Sequence, residues 1–118
     1  MRILFVEDNA TTARAAKVLL ELRGYSVDTA ECVADATHLL SVNKYDVLLS
    51  DLRLPDGSGY DVLAEIPQPI KAIAMSGFVS EADKAEAISR GFAAFLPKPY
   101  KTDDLVAIIE SAELSPES

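Results

Sequence analysis

The chain has 118 residues, 49% of them hydrophobic, with four Phe, four Tyr, no Trp and a formal net charge of -8. That length suits one domain able to bury roughly two-thirds of its unfolded surface without disulfides, and no apolar stretch approaches the ~20 residues of a membrane span. The acidic balance argues against direct binding to a nucleic-acid backbone, which calls for a clustered basic surface.

Helical and strand periodicities alternate along the whole length, the pattern of a parallel sheet covered by helices on both faces. Arg2 to Val6 reads as a strand buried on both sides, and it meets Glu7 too soon to be a secretory signal. From Ala10, the residues Ala15, Val18, Leu19 and Leu22 recur at helical spacing until Gly24 closes the helix. Tyr25 to Ala30 alternates polar and apolar, as expected of an edge strand. The lone Cys32 opens a second helix through Val33, Ala36, Leu39 and Leu40, and it fits a reducing, cytoplasmic setting. His38 on that helix has no Cys or His neighbour in the sequence and is expected at the surface.

Tyr45 to Ser50 is the third and central strand. Asp51 to Gly59 contains Pro55, Gly57 and Gly59, and is expected to be a loop without regular structure. Tyr60, Val62, Leu63 and Ile66 make a short helix stopped by Pro67 and Pro69, followed by a fourth strand, Ile70 to Met75. Ser80 with Asp83 resembles a capping box for a helix carrying Ala85 and Ile88 and ending at Gly91. Phe92 to Pro97 is the fifth strand, placed at a sheet edge because Pro97 lacks an amide hydrogen. Thr102 is expected to cap a last helix through Leu105, Ile108, Ile109 and Ala112. The domain is expected over 1–112, with 113–118 a polar tail or the start of a linker.

Parallel strands bring their carboxyl ends to one edge, where open α/β sheets place their ligand crevice. Here those ends carry Glu7-Asp8, Asp51, Ser76 and Lys98. Three carboxylates within a few ångströms repel by several kcal/mol at low effective dielectric. Lys98 offsets one charge of three, so a divalent cation with oxygen ligands is expected: Mg²⁺ beside phosphate chemistry, with Mn²⁺ as the alternative ion. Asp51 stands alone after the central strand and is the candidate nucleophile for an aspartyl phosphate, with Lys98 and the Ser76 hydroxyl on the transferred oxygens. Each residue also has a plainer reading. Glu7 and Asp8 favour the positive end of the first helix, Asp51 suits a turn, Ser76-Gly77 is a common turn, Lys98 a common solvated lysine and Phe95 an ordinary core residue. Their joint placement on one edge outweighs these.

Together the acidic pair Glu7-Asp8, Asp51 opening the run to Gly59, Ser76 before Gly77, the aromatic Phe95 and Lys98-Pro99 resemble the receiver domain of two-component response regulators over nearly the full chain. That resemblance implies a flavodoxin-like (βα)5 doubly wound sheet in the order 2-1-3-4-5, a three-layer sandwich. It implies that Asp51 accepts a phosphoryl group from a phosphohistidine of a sensor histidine kinase or phosphotransfer protein. Metal ligands would be Asp8, Asp51 and the Arg53 carbonyl, with Glu7 acting through water; Ser76 and Phe95 would be the switch pair, and Pro99 would follow a cis bond. The family's output is a changed surface on the fourth helix, fifth strand and fifth helix, read by an effector protein or by a second copy. It also implies slow autodephosphorylation rather than turnover as an enzyme.

Three features depart from the family's commonest pattern: Glu7 where Asp is frequent, the long basic Arg53 two positions after the acceptor, and Phe95 without a hydroxyl. The segments Ser76-Gly77-Phe78 and Gly91-Phe92 resemble receivers of hybrid histidine kinases, a single-domain regulator being the other setting. Competing readings are a receiver-like scaffold or phosphate sink without conformational output, a phosphohydrolase of the haloacid-dehalogenase type, and a flavin carrier. The phosphohydrolase wants an Asp where Arg53 stands, and the flavin carrier wants a hydroxyl- and glycine-rich loop where Glu7-Asp8 stand.

Overall fold

Five strands pair in parallel in the order 2-1-3-4-5: β1 (Arg2–Val6), β2 (Ser26–Ala30), β3 (Val47–Asp51), β4 (Lys71–Ser76) and β5 (Ala94–Pro97). This computed structural model describes residues 1–67, 70–77 and 80–113. Among them five helices cover the sheet: α1 (Ala10–Leu22), α2 (Val33–Val42), α3 (Gly59–Ala64), α4 (Glu81–Ser89) and α5 (Thr102–Glu113).

The three layers follow from the two-residue period of a strand. In β1, Ile3 and Phe5 join the core under α1 and α5, with Leu20, Leu105 and Ile109. Leu4 and Val6 point the other way, into the core shared with Ala36 of α2, Val62 of α3 and Ala87 of α4. Ile3, Leu4, Phe5 and Val6 all have 0% exposure, which is why the run is continuously apolar. Truncating Phe5 to Ala should cost about 3–5 kcal/mol. The expected edges hold: β2 and β5 are the outer strands.

Helix registers differ from the sequence reading where alanine made the stripe ambiguous. In α1 the buried face is Ala13, Ala16 and Leu20, whereas Val18 and Leu22 are exposed at 53% and 80%. Small residues let the helix lie close to the sheet, and that packing outweighs the larger apolar side chains. Of α4 only Ala87 is buried, whereas Ala85 and Ile88 are exposed.

The Asp51 to Gly59 segment is more regular than its breakers suggest. Arg53–Leu54 pairs antiparallel with Gly57–Ser58. Ser58 and Asp61 then form a reciprocal capping box that opens α3. Thr102 is the first helical residue of α5 rather than its cap, and the Lys101 amide before it donates to Asp104. Glu113 belongs to α5; the rest of the expected tail, 114–118, lies outside the described residues, as do Pro69 and Phe78.

Candidate functional site

The parallel register delivers the site. Because Val6 pairs with Ser50 and Asp51 with Met75, the ends of β1, β3 and β4 lie side by side. Ser76 pairs with Pro97, and the Lys98 amide donates to the Ser76 carbonyl at 2.9 Å, which fixes the lysine backbone beside β4. The Lys98–Pro99 bond is cis.

Across this edge the Lys98 ammonium donates to Glu7 Oε1 at 2.6 Å and lies 2.6 Å from Asp51 Oδ1. Glu7 and Asp51 are buried, at 2% and 5% exposure, and the exposed Asp8 completes a group whose ligand atoms all lie within 4.8 Å of one another. The second Glu7 oxygen accepts the Asn9 amide at 3.0 Å, and Asn9 Oδ1 caps α1 by accepting from Thr12.

Burial pushes the Asp51 carboxyl up to about 7; a hydrogen bond with Glu7 and the charge of Glu7 raise it too, while the Lys98 ammonium holds it down. Glu7 goes the other way. Burial disfavours its charge, but hydrogen bonds from Lys98 and the Asn9 amide outweigh that and leave it below the ordinary range. Lys98 sits above its ordinary value, since its two carboxylate partners outweigh burial. The fold thus favours the neutral form of Asp51 and the charged form of Glu7.

Sequence-predicted residues are brought together with one separation. Ser76, Lys98, Glu7, Asp8 and Asp51 share the edge, while Phe95 lies two rungs back along β5, paired with Ala74 and 8% exposed in the core with Ala87 and Phe92. Arg53 lies in the hairpin with its side chain exposed. Two positions escaped the sequence reading. A Cβ on Gly59 would stand 2.5 Å from the Asp51 carbonyl oxygen, so only glycine allows α3 to start this close to Asp51. Asp56 accepts the Val33 and Ala34 amides at the start of α2, 2.7 and 3.1 Å away. The signal for it was a carboxylate in a tight turn together with an α2 whose only local cap is a thiol.

Hard oxygen donors gathered around a deficit of positive charge suit a divalent cation. The model of the response regulator receiver domain matches residues 3–110. The chain belongs to that family. Among relatives, it is 31% identical to the cell cycle response regulator CtrA of Brucella ovis, over 94% of this chain and 49% of the relative. The receiver thus spans about half the length of the curated relatives it matches. A CheY-like receiver domain from Methylobacillus flagellatus superposes with a TM-score of 0.81 at 32% identity, covering 95% of this chain and 98% of that one. The receiver domain of sensor histidine kinase PA1611 from Pseudomonas aeruginosa, with a magnesium ion coordinated in its active site cleft, gives 0.82 at 28% identity, covering 94% and 95%. No helix among the described residues is long and apolar enough to cross a membrane.

Proposed function

We propose that this receiver takes a phosphoryl group onto Asp51 from a phosphohistidine of a sensor histidine kinase or phosphotransfer protein in the cytoplasm. The observation that carries the reading is the buried Asp51 at the end of the central strand, with an ammonium 2.6 Å from one oxygen and two further carboxylates beside it. An Asp51 oxygen forms the bond to phosphorus as the nitrogen–phosphorus bond breaks, and the released imidazole nitrogen keeps the electron pair and takes up a proton.

Asp8, Asp51 and the Arg53 carbonyl are the residues that would hold Mg²⁺, with Glu7 acting through water; the donor set suits that ion. When bound, the ion neutralises charge on the phosphoryl oxygens. Lys98 then exchanges one of its two carboxylate partners for a phosphoryl oxygen, and the Ser76 hydroxyl takes another. Ser76 and Phe95 are proposed to relay the event to α4, β5 and α5, where an effector or a second copy reads it. The unit is proposed to span residues 1–112, and slow autodephosphorylation resets it.

Incubation with Mg²⁺ and acetyl phosphate tests the reading by intact mass. The parent is expected to gain one acid-stable, base-labile phosphoryl group that hydroxylamine removes, Asp51→Asn to gain none, and Asp8→Asn to gain it slowly. Labelling that persists in Asp51→Asn places the chemistry elsewhere.

A further inference from the structure

The hairpin after Asp51 is held at both ends. At its base the Leu52 amide donates to the Met75 carbonyl at 3.0 Å and the Gly59 amide to the Leu52 carbonyl at 3.1 Å, which fastens it to the sheet. At its tip Asp56 reaches the first turn of α2, one carboxylate oxygen on the Val33 amide and the other on the Ala34 amide. The local cap of α2 is weak, because Cys32 offers only sulfur to the Asp35 amide at 3.4 Å. A carboxylate from more than 20 residues further along the chain therefore completes the cap, where the positive helix end favours a negative charge.

Close packing supports the same tether. A Cβ on Gly57 would stand 3.1 Å from Val33 Cγ2 and 2.5 Å from Asp61 Oδ2, so the tip lies directly against α2 and α3. Arg53 sits between the two anchors, paired with Ser58 across the two-rung ladder. Only these two rungs separate the tip from the Arg53 backbone.

We infer that Asp56 is a positioning residue for the cation site: by tying the hairpin to the start of α2 it sets the Arg53 carbonyl, so that ion binding and order at the α2 N-terminus favour each other. The inference rests on the reading of Asp8, Asp51 and Arg53 as cation ligands given above. Coupling of this kind is reciprocal, so an ion at the edge should tighten the α2 cap and loss of the cap should weaken the ion.

The experiment titrates Mg²⁺ alone into the parent, Asp56→Ala, Asp56→Asn and the double variant Cys32→Ser/Asp56→Ala, following amide NMR shifts of residues 51–59, with thermal melts in metal-free buffer. Asp56→Ala is expected to raise the Mg²⁺ midpoint about three- to tenfold, below the roughly 10–100-fold of groups bonded directly to a metal ligand, since Asp56 acts through the hairpin backbone. Asp56→Asn, keeping one acceptor oxygen, should fall between. Serine is a strong local cap, so the double variant should recover melting temperature while its Mg²⁺ midpoint stays high. Exchange of the Val33 and Ala34 amides should slow with Mg²⁺ in the parent and not in Asp56→Ala. An unchanged midpoint in Asp56→Ala, or recovery of both properties in the double variant, overturns the inference and leaves Asp56 an ordinary helix cap. A parent that shows no Mg²⁺-dependent shift overturns the cation reading itself.

Discussion

Glu7 and Asp51 share one ammonium: Lys98 Nζ lies 2.6 Å from Oε1 of the first and 2.6 Å from Oδ1 of the second. Two buried carboxylates on one cation leave charge unbalanced even before Asp8 is counted. The site is thus arranged for a cationic ligand at some cost to the free protein, and stability should report that cost.

Replacing Asp51 with Asn should stabilise the metal-free protein at neutral pH. Asp51 has an ordinary value of 3.8 and is pushed up to about 7 in the fold, so the folded state favours its protonated form. That preference is fully present below pH 3.8 and is lost as pH rises through about 7. Asp51→Asn should therefore match the parent near pH 4 and become the more stable of the two as pH rises through about 7. Adding Mg²⁺ should narrow the gap, because an ion at a hundred times its dissociation constant stabilises the parent by about 2.7 kcal/mol. Thermal melts across pH, with and without Mg²⁺, decide it; a variant less stable than the parent at pH 8 without metal contradicts the electrostatic account.

Gly59→Ala should damage the site more than the fold. The added methyl meets the Asp51 carbonyl at 2.5 Å and Ser50 Oγ at 3.2 Å, so β3 and the start of α3 must separate locally. A stability loss of about 1–3 kcal/mol is expected, as for overpacking elsewhere, together with a phosphorylation rate reduced at least about tenfold, since small misplacements of reacting groups cost that much or more. Acetyl phosphate kinetics at saturating Mg²⁺ measure the second effect; an unaltered rate would show that the close approach is incidental.

Ser76→Ala should uncouple acceptance from output. The serine sits at the site while Phe95 lies two rungs back in the core beneath α4, so any relay must cross β4 and β5. With beryllofluoride as a phosphoryl mimic, amide shifts in the parent should extend from the Asp51 loop to residues 80–112. In Ser76→Ala they should shrink beyond the loop, and Phe95→Ala should loosen the coupling further. Shifts confined to the loop in the parent would leave a phosphate sink or passive scaffold.

Tyr45→Phe should change alkaline stability. The Tyr45 hydroxyl donates to Asp28 Oδ2 at 2.6 Å, and burial first, then that bond, push the phenol up from 10.0 to about 12. The bond's contribution is fully present below pH 10 and is lost as pH rises to about 12. The variant should lose about 1 kcal/mol at pH 7 and show a shallower decline between pH 10 and 12 in denaturant titrations.

The site was legible in the sequence because it is a property of strand ends: once β1, β3, β4 and β5 are parallel, Glu7, Asp51, Ser76 and Lys98 have one edge to share. The two edge positions were legible from the polar β2 and from Pro97. The inner face of α1 was not, since Ala10, Ala13, Ala15 and Ala16 permit several stripes and only packing against the sheet selects Ala13 and Ala16. Asp56 was hidden for a different reason. Its partners are backbone amides more than 20 residues away, and the one hint of them was a thiol at the start of α2 where an oxygen cap is usual.

The outer strands have one further consequence. A sheet edge normally offers unpaired amides and carbonyls to any passing strand, and proteins blunt such edges with charge or proline. Here β2 carries Asp28, engaged by Arg2 at 3.2 Å and by Tyr45, and β5 ends at Pro97, which has no amide to offer. Both borders thus discourage the addition of a further strand, which guards the folded domain against fibre-like stacking of one copy on the next.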